Sequence, residues 1–357
     1  MYKWMVLISL LLTGCQSIGP GLLKMDRYNY NLAVDYSSRQ EMLLNIVRLR
    51  YNEGPMILKV GNISGSAKLD KGASLLGLQN FQGALSLFKN QIQEAASINY
   101  SDNPIISYTP MDNKEYITHF LRALSLEDIK WLLESSWSIT RVFRLVLQEV
   151  GTSPNATSAA RATSSHAPEY RRFSDMLSVL RRIQIQDGFV ISYKKQAGIE
   201  ILTFHLKPGV KITKREQEFL NKAGVEIYQR QIVFSTQPKR HQVYFLTRSV
   251  LGILNYLSKG VNVPEEHHDR HVITTTYRHN GERFDWGRVL KGMIIIYVDK
   301  KRPTDAAIAI PYRNLWYYIK DSDPNSKETL VLLQNVIGLI ASVPIGSENS
   351  VGLARIV

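Results

Sequence analysis

The apolar residues of this chain are spread over many short stretches, and none approaches the run of about 20 that crosses a bilayer as a helix. This distribution excludes a polytopic membrane protein and favours a globular body. With 357 residues, 44% of them hydrophobic, the chain can bury a sizeable core, which argues against intrinsic disorder. Its single cysteine cannot form an internal disulfide, so packing has to stabilise the fold.

The first fifteen residues have the layout of a secretory signal peptide. A positively charged start at Lys3 is followed by an apolar stretch from Trp4 to Leu12. The junction Leu12-Thr13-Gly14-Cys15 resembles the lipobox of bacterial lipoproteins, in which the cysteine thiol becomes the point of lipid attachment. The alternative is an ordinary buried thiol, but Cys15 is the only cysteine and stands at the lipobox position.

The lipobox resemblance implies that residues 1–14 are removed as a signal peptide and that residues 15–26 form a lipidated tether. Two or more acyl chains on Cys15 would hold the protein on a membrane, whereas one chain binds reversibly. In such lipoproteins an aspartate after the cysteine tends to mark inner-membrane retention. Gln16 stands there instead, so we expect an outer-membrane lipoprotein whose body faces the periplasm.

The formal charge of +13 indicates acidic partners. In a cytoplasmic protein it would suggest nucleic acid. Behind a signal peptide we expect no cytoplasmic nucleic acid. The polyanions within reach are then lipid headgroups, lipopolysaccharide phosphates, acidic cell-wall polymers and other acidic glycans, and incoming DNA.

Helical and strand-like patterns alternate along the chain, which predicts an α+β fold of mixed helices and short, mainly antiparallel strands. The predicted helices cover 38–51, 116–124, 126–133, 139–150, 170–185, 214–222, 249–257 and 326–341. The predicted strands cover 56–60, 63–69, a hairpin over 96–108, 189–193, 199–206, 226–234, 242–246, 293–298, 306–310 and 315–319.

The stretch 151–168 is small and polar and lacks an apolar period, which predicts a flexible loop or linker. It separates an N-terminal α+β region, 27–150, from a C-terminal α+β region, 169–342, which is followed by a tail, 343–357. The sequence leaves open whether these regions form one large domain or two smaller ones.

The densest polar cluster runs from Glu265 to His271 and includes His267, His268 and His271. It lacks the His-Glu-x-x-His spacing of zinc hydrolases, which places two imidazoles and a carboxylate on one helix face. We interpret the cluster as a solvated loop, with a metal site as the weaker alternative, and expect no cofactor. The sequence also lacks the common nucleophile motifs, so we expect a protein that is not an enzyme.

Basic residues cluster at three places in the sequence. These are Lys239-Arg240-His241, Lys300-Lys301-Arg302 and the group Arg171, Arg172, Arg181 and Arg182. Each cluster is explained most simply as a solvated turn or helix face. With aromatic residues such as Trp316 they also offer a surface for acidic glycans or phosphates. The candidates for polyanion or partner binding are Lys300, Lys301, Arg302 and Trp316.

Four segments resemble an uncharacterised family of predicted lipoproteins from proteobacteria. They are residues 43–51 (LLNIVRLRY), 247–254 (TRSVLGIL), 284–287 (FDWG) and 312–319 (YRNLWYYI). The similarity runs from about Tyr36 to Ala341, which is nearly the whole mature chain. It implies no reaction and no catalytic residues, and the segments themselves are typical of packing elements.

The leading hypothesis is a non-enzymatic, lipid-anchored component of an envelope complex for secretion, transport or assembly, with envelope proteins as partners. One alternative is a lipoprotein that binds acidic glycan or lipopolysaccharide by itself, through contacts that weaken with salt. The other is a metal-dependent hydrolase that uses His267, His268 and His271.

The lipobox interpretation predicts that Cys15→Ala moves the protein from the membrane fraction to the periplasmic fraction, because the variant has no thiol for lipid attachment. Fractionation of cells that express the parent chain or the variant measures this shift. A variant that stays in the membrane fraction would contradict lipid anchoring at Cys15.

Overall fold

The protein is described here by a computed structural model. It gives the backbone of residues 18–56, 58–72, 97–110, 118, 120–157 and 167–341. Side chains are described for residues 28–56, 118, 120–157 and 167–340. Cys15, the signal peptide and the tail 343–357 lie outside these ranges.

Helices and strands alternate along the described chain, which confirms the α+β class. The helices are α1 (Ile18–Arg50), α2 (Leu126–Glu134), α3 (Ile139–Val146), α4 (Arg171–Ile185), α5 (Lys214–Lys222), α6 (Val250–Ser258), α7 (Glu265–Asp269), α8 (Gly287–Leu290) and α9 (Pro324–Ala341). The strands are β1 (Leu58–Gly72), β2 (Ser97–Pro110), β3 (Leu147–Val150), β4 (Ser153–Pro154), β5 (Phe189–Gln196), β6 (Ile199–Leu206), β7 (Gln231–Ser235), β8 (Val243–Thr247), β9 (Tyr297–Asp299), β10 (Ala306–Tyr312) and β11 (Leu315–Lys320).

The chain divides into two compact units. One comprises Ile57–Asn113 and contains the antiparallel pair of β1 and β2; the other comprises Met1–Met56 and Lys114–Val357. The larger unit contains a six-stranded sheet of order β4-β3-β8-β7-β6-β5 and a three-stranded sheet of order β10-β11-β9. All strand pairs are antiparallel except β7 with β8. None of the described helices is long and apolar enough to cross a membrane.

The hairpin unit differs from the sequence prediction. Residues 56–69 were expected to form two short strands, and 96–108 a hairpin that turns at Asn103-Pro104. Instead β1 is one strand with a register shift between Val60 and Ile63, and β2 runs through Pro104 as its partner. A bulge absorbs the irregular Gly61-Asn62 step without ending the strand.

Helix α1 begins at Ile18, so most of the predicted tether over 15–26 is helical backbone. A proline is tolerated in a first helical turn, because the amide hydrogens there have no partner within the helix. The C-terminal part of α1 packs on α6 and β10, with Leu43, Ile46 and Val47 buried. This packing places Arg50 and Tyr51 in the interior of the larger unit.

The third predicted helix, 139–150, ends earlier than expected. Its buried face, which includes Val142 and Phe143, continues only to Val146. Residues 147–150 then form β3, which pairs with β8. Apolar spacing alone does not separate a helix from a short buried strand, so strand pairing decides this boundary.

The first seven residues of the predicted flexible stretch 151–168 belong to the ordered core. Ser153 and Asn155 are buried, and β4 pairs with β3. Because β3 pairs in turn with β8, which lies beyond the stretch, one sheet takes strands from both sides of it. Residues 158–166 lie outside the described residues.

Asn155 completes the C-terminal end of α3. The last carbonyl groups of a helix have no partner within the helix, and here they are buried. The Nδ2 of Asn155 donates hydrogen bonds to the carbonyl oxygens of Arg144 (2.9 Å) and Leu147 (2.8 Å). The stretch after β3 thus satisfies backbone groups of the helix before it.

Arg248 supplies the remaining donors at this helix end. Its side chain is 1% exposed and donates to the carbonyl oxygens of Arg144 (3.0 Å), Leu145 (3.1 Å) and Asn155. The guanidinium carbon also lies 4.3 Å from the ring centroid of Tyr256. Burial lowers the pKa of Arg248 to about 10, so the group stays charged at neutral pH. Its charge stabilises the negative end of the α3 dipole.

We expect Arg248→Met to lower the free energy of unfolding by about 3 kcal/mol or more, because buried carbonyl groups lose a charged donor. Urea denaturation measures the change. The matched control is Arg240→Met, which removes an exposed arginine and should shift stability by no more than about 0.5 kcal/mol. Equal stability of the two variants would refute the role of Arg248.

Candidate functional site: an arginine-lined groove

A groove runs between α3, α4 and the segment around α8. The buried face of α4 includes Phe173, Met176 and Leu180. Residues at helical spacing on the other side of α4 therefore face outward. They include Arg171, Ser174, Ser178 and Arg181, and all of these line the groove.

The groove consists of four adjoining cavities of about 480, 250, 460 and 520 Å³. The first two share Tyr170 and Arg288, the next two share Arg144 and Ser174, and the last two share Arg144 and Arg181. Neighbouring cavities share wall residues, so the four lie side by side on this face of the protein. Arg144 lines three of the four and stands at the centre of the groove.

The lining of the groove is strongly basic. It includes eight arginines and one lysine but only two carboxylates. The cations are Arg141, Arg144, Arg171, Arg172, Arg181, Arg182, Arg278, Arg288 and Lys291, and the carboxylates are Glu169 and Glu328.

Five of these cations have acidic partners. The pairs are Arg141 with Glu328, Arg172 with Glu169, Arg182 with Glu216, Arg278 with Glu282 and Arg288 with Asp285. Arg141 also donates to Asn325 and Thr329, which ties α3 to α9. These arginines contribute to the local structure as well as to the charge.

The other four cations have no acidic partner among the described residues. Arg144 donates to the carbonyl oxygens of Val289 (2.6 Å) and Lys291 (2.9 Å), and Arg181 donates to the amide oxygen of Gln184 (2.6 Å). Arg171 and Lys291 are exposed. Their positive charge is therefore available to a ligand.

The groove suits an elongated anion with several phosphate or carboxylate groups. Guanidinium groups bind such oxyanions through planar pairs of donors. Ser174 and Ser178 add hydroxyl groups, and Tyr170 and Phe284 add aromatic surface at one end. Arginine does not exchange its proton near neutral pH, so this lining favours binding over acid–base chemistry.

The predicted polyanion-binding residues lie elsewhere. Arg302 and Trp316 do meet, with the guanidinium carbon 5.4 Å from the ring centroid. Lys300 and Lys301 are exposed in the connection from β9 to β10. None of the four lines the groove described above, whereas the sequence cluster Arg171, Arg172, Arg181 and Arg182 does.

The three candidate metal ligands have separate surroundings. His267 and His268 lie on the short helix α7, which replaces the expected loop. The Nδ1 atoms of His267 and His268 contact the Tyr51 hydroxyl (2.6 Å) and the Thr275 hydroxyl (2.9 Å), and His271 is exposed. No three His, Cys, Asp or Glu side chains are grouped as a metal site within the described part of the chain.

Instead, His267 is half-buried and belongs to a hydrogen-bonded network with Tyr51 and Tyr317. The Tyr51 hydroxyl lies 2.6 Å from His267 Nδ1 and 2.5 Å from the Tyr317 hydroxyl. Burial raises the pKa of both tyrosines, so they stay neutral. These hydrogen bonds join the end of α1, α7 and β11. They give a structural role to His267, which the sequence pattern placed in a solvated loop.

Comparisons with protein-family models, with curated proteins and with solved structures find no match to this chain.

Sequence reasoning identified the arginines of α4 but not Lys291, Arg278 or Arg288 as part of the same surface. These residues are isolated in the sequence and carry no local motif. The charge of Arg144 and Arg141 opposite the apolar face of α3 was the available signal. Only the packing of α3 against α4 shows that the charges share one groove.

We expect Tyr51→Phe to lower the free energy of unfolding by about 1–3 kcal/mol, because the buried Tyr317 hydroxyl and His267 Nδ1 lose a partner. Urea denaturation measures the loss. Tyr244→Phe removes a half-exposed hydroxyl from β8 and should leave stability within about 0.5 kcal/mol. Unchanged stability of Tyr51→Phe would contradict a structural role for the hydrogen bonds among Tyr51, His267 and Tyr317.

Proposed function

We propose that this protein is a lipid-anchored outer-membrane lipoprotein whose periplasmic body binds an anionic component of the envelope along the arginine-lined groove. The role is binding rather than catalysis. The observation that carries the proposal is a groove of four adjoining cavities in which Arg144, Arg171, Arg181 and Lys291 lack acidic partners among the described residues.

The charge pattern supports an anionic ligand. A groove lined by one sign of charge concentrates opposite charges and speeds their encounter. Phosphate groups on lipopolysaccharide and carboxylates of acidic glycans are the chemistry that arginine binds best. The lipobox at Cys15 supports a location in which such ligands are abundant.

The groove is also consistent with membership of an envelope complex, the leading hypothesis from the sequence. An acidic strip on a partner protein would present the same carboxylates. We favour the phosphate-bearing glycolipid, because four neighbouring cavities accommodate a flexible branched anion as well as the hydroxyls of its sugars. No comparable arrangement supports the metal-dependent hydrolase in the described residues.

The test neutralises two exposed groove cations in the full chain, Arg171→Gln with Lys291→Gln. Each cation near an anionic surface contributes about 1 kcal/mol, so the double variant should bind immobilised lipopolysaccharide about 30-fold more weakly. Surface plasmon resonance of the detergent-solubilised protein at about 0.1 M salt measures the affinity. Binding of the parent chain should weaken further as salt rises.

The matched control is Lys300→Gln with Lys301→Gln, which removes the same charge from the residues that the sequence suggested. This control should bind like the parent chain. The reverse result, with weaker binding only in the control, would move the site to the loop after β9. Equal binding by all three proteins would refute both surfaces.

A further inference from the structure

A row of large apolar side chains runs along α1 before the part of the helix that packs on the body. Tyr28, Leu32 and Tyr36 follow one another at helical spacing, and their exposed fractions are 63%, 50% and 38%. Exposure therefore rises with distance from the packed end of the helix. Single exposed apolar residues are ordinary, whereas a row of them on one helix face marks a contact. We call these three residues the α1 stripe.

The α1 stripe continues the buried face of the same helix. Ile46 lies about five turns after Tyr28, and Leu43 lies about three turns after Leu32, so the members of each pair point to the same side of α1. Leu43 and Ile46 are fully buried where α1 packs on α6 and β10. The apolar face of α1 thus runs past its last packing contact, and whatever covers the stripe lies beside α6 and β10.

The α1 stripe can enter an apolar medium without burying an unpaired charge. From Tyr28 to Arg39 the charged side chains are Asp35 and Arg39, and they pair with each other at 2.5 Å. Asn31 and Ser37, on other sides of the helix, are exposed and polar. Like the other described helices, α1 is not apolar enough to cross a membrane, so its amphipathic character suits a membrane surface.

The lipid attachment at Cys15 brings such a surface close, and this step rests on that part of the proposed function. Cys15 precedes Ile18, the first residue of α1, by three residues, which span no more than about 11 Å. With the acyl chains of Cys15 in a bilayer, the beginning of α1 is held at the bilayer surface. Tyr28 lies only about 15 Å further along the helix axis.

A second copy of α1 does not fit the stripe. Two copies anchored in one membrane would run parallel, and a parallel helix seated on the stripe would continue into the space that α6 and β10 occupy. A membrane that meets α1 at an angle leaves α6 and β10 outside it. Tyrosine suits the headgroup region, because its ring is apolar and its hydroxyl is polar.

We propose that the α1 stripe lies obliquely in the headgroup region of the membrane, with Tyr28 deeper than Tyr36. This contact is separate from the arginine-lined groove, and its partner is a lipid surface rather than an anion. Because α1 is one continuous helix from Ile18 to Arg50, the contact sets the orientation of the larger unit at the membrane.

The test is a depth measurement with spin labels on the full lipidated chain in vesicles of phosphatidylcholine, whose headgroup has no net charge. Tyr28→Cys, Leu32→Cys and Tyr36→Cys each place one nitroxide on the stripe, because the only native cysteine, Cys15, has its thiol blocked by lipid. The label at position 28 should lie about 5–10 Å below the headgroup level, and those at 32 and 36 progressively higher. Accessibility to oxygen and to a polar nickel complex measures the depth.

The matched control is Asn31→Cys, an exposed neighbour on another side of α1, whose label should stay in water. Water-exposed labels at all three stripe positions would overturn the membrane contact and leave the anchor intact. Stripe labels that are shielded from both oxygen and the nickel complex, and that couple magnetically to a label on another chain, would assign the stripe to a second copy. That result would also overturn the proposal.

Failure of the anchor gives a different result. The parent chain, which has no engineered cysteine, would then take up the label at Cys15 and would not float with the vesicles. This outcome would refute the lipid anchor together with the contact that rests on it.

Discussion

Helix α3 ends inside the protein, where its last carbonyl groups need donors that its own backbone does not provide. Arg248 and Asn155 reach this end from β8 and from the stretch after β4, and they bring a positive charge to the negative pole of the helix. The contact joins the helix to the six-stranded sheet. It also fixes the backbone of Arg144, whose side chain extends to the α8 segment and forms the centre of the groove.

The protein thus uses arginine in three different surroundings. Arg248 is fully buried and donates hydrogen bonds to carbonyl oxygens, so it stabilises the fold. Arg144 and Arg181 donate to neutral groups on the groove wall and have no acidic partner among the described residues. Arg50 is buried and donates from Nη1 to the carbonyl oxygen of Thr274. The free energy of placing each guanidinium depends on what accepts its hydrogen bonds, and this decides whether an arginine has a structural or a binding role.

Much of the element pattern of the larger unit was predictable. Helices α4 and α5 and strand β6 follow the sequence pattern closely, because their amphipathic spacing matches their burial. The end of α3 and the path of β1 and β2 were not predictable from the sequence, because pairing between distant strands overrides local preference there. The sequence showed the α4 arginines as a cluster. It did not indicate that Lys291 lines the same groove or that His267 bonds to Tyr51.

The order of residues along the chain specified the α+β class, the basic character and the segment Leu12–Cys15 that resembles a lipobox, because each depends on local composition or spacing. The tertiary structure alone decided which charges remain without partners. Arg171 and Arg172 are neighbours in sequence and both line the groove, yet of the two only Arg172 has an acidic partner, Glu169, among the described residues. Neutralisation depends on distances between side chains, and those distances exist only once the chain has folded.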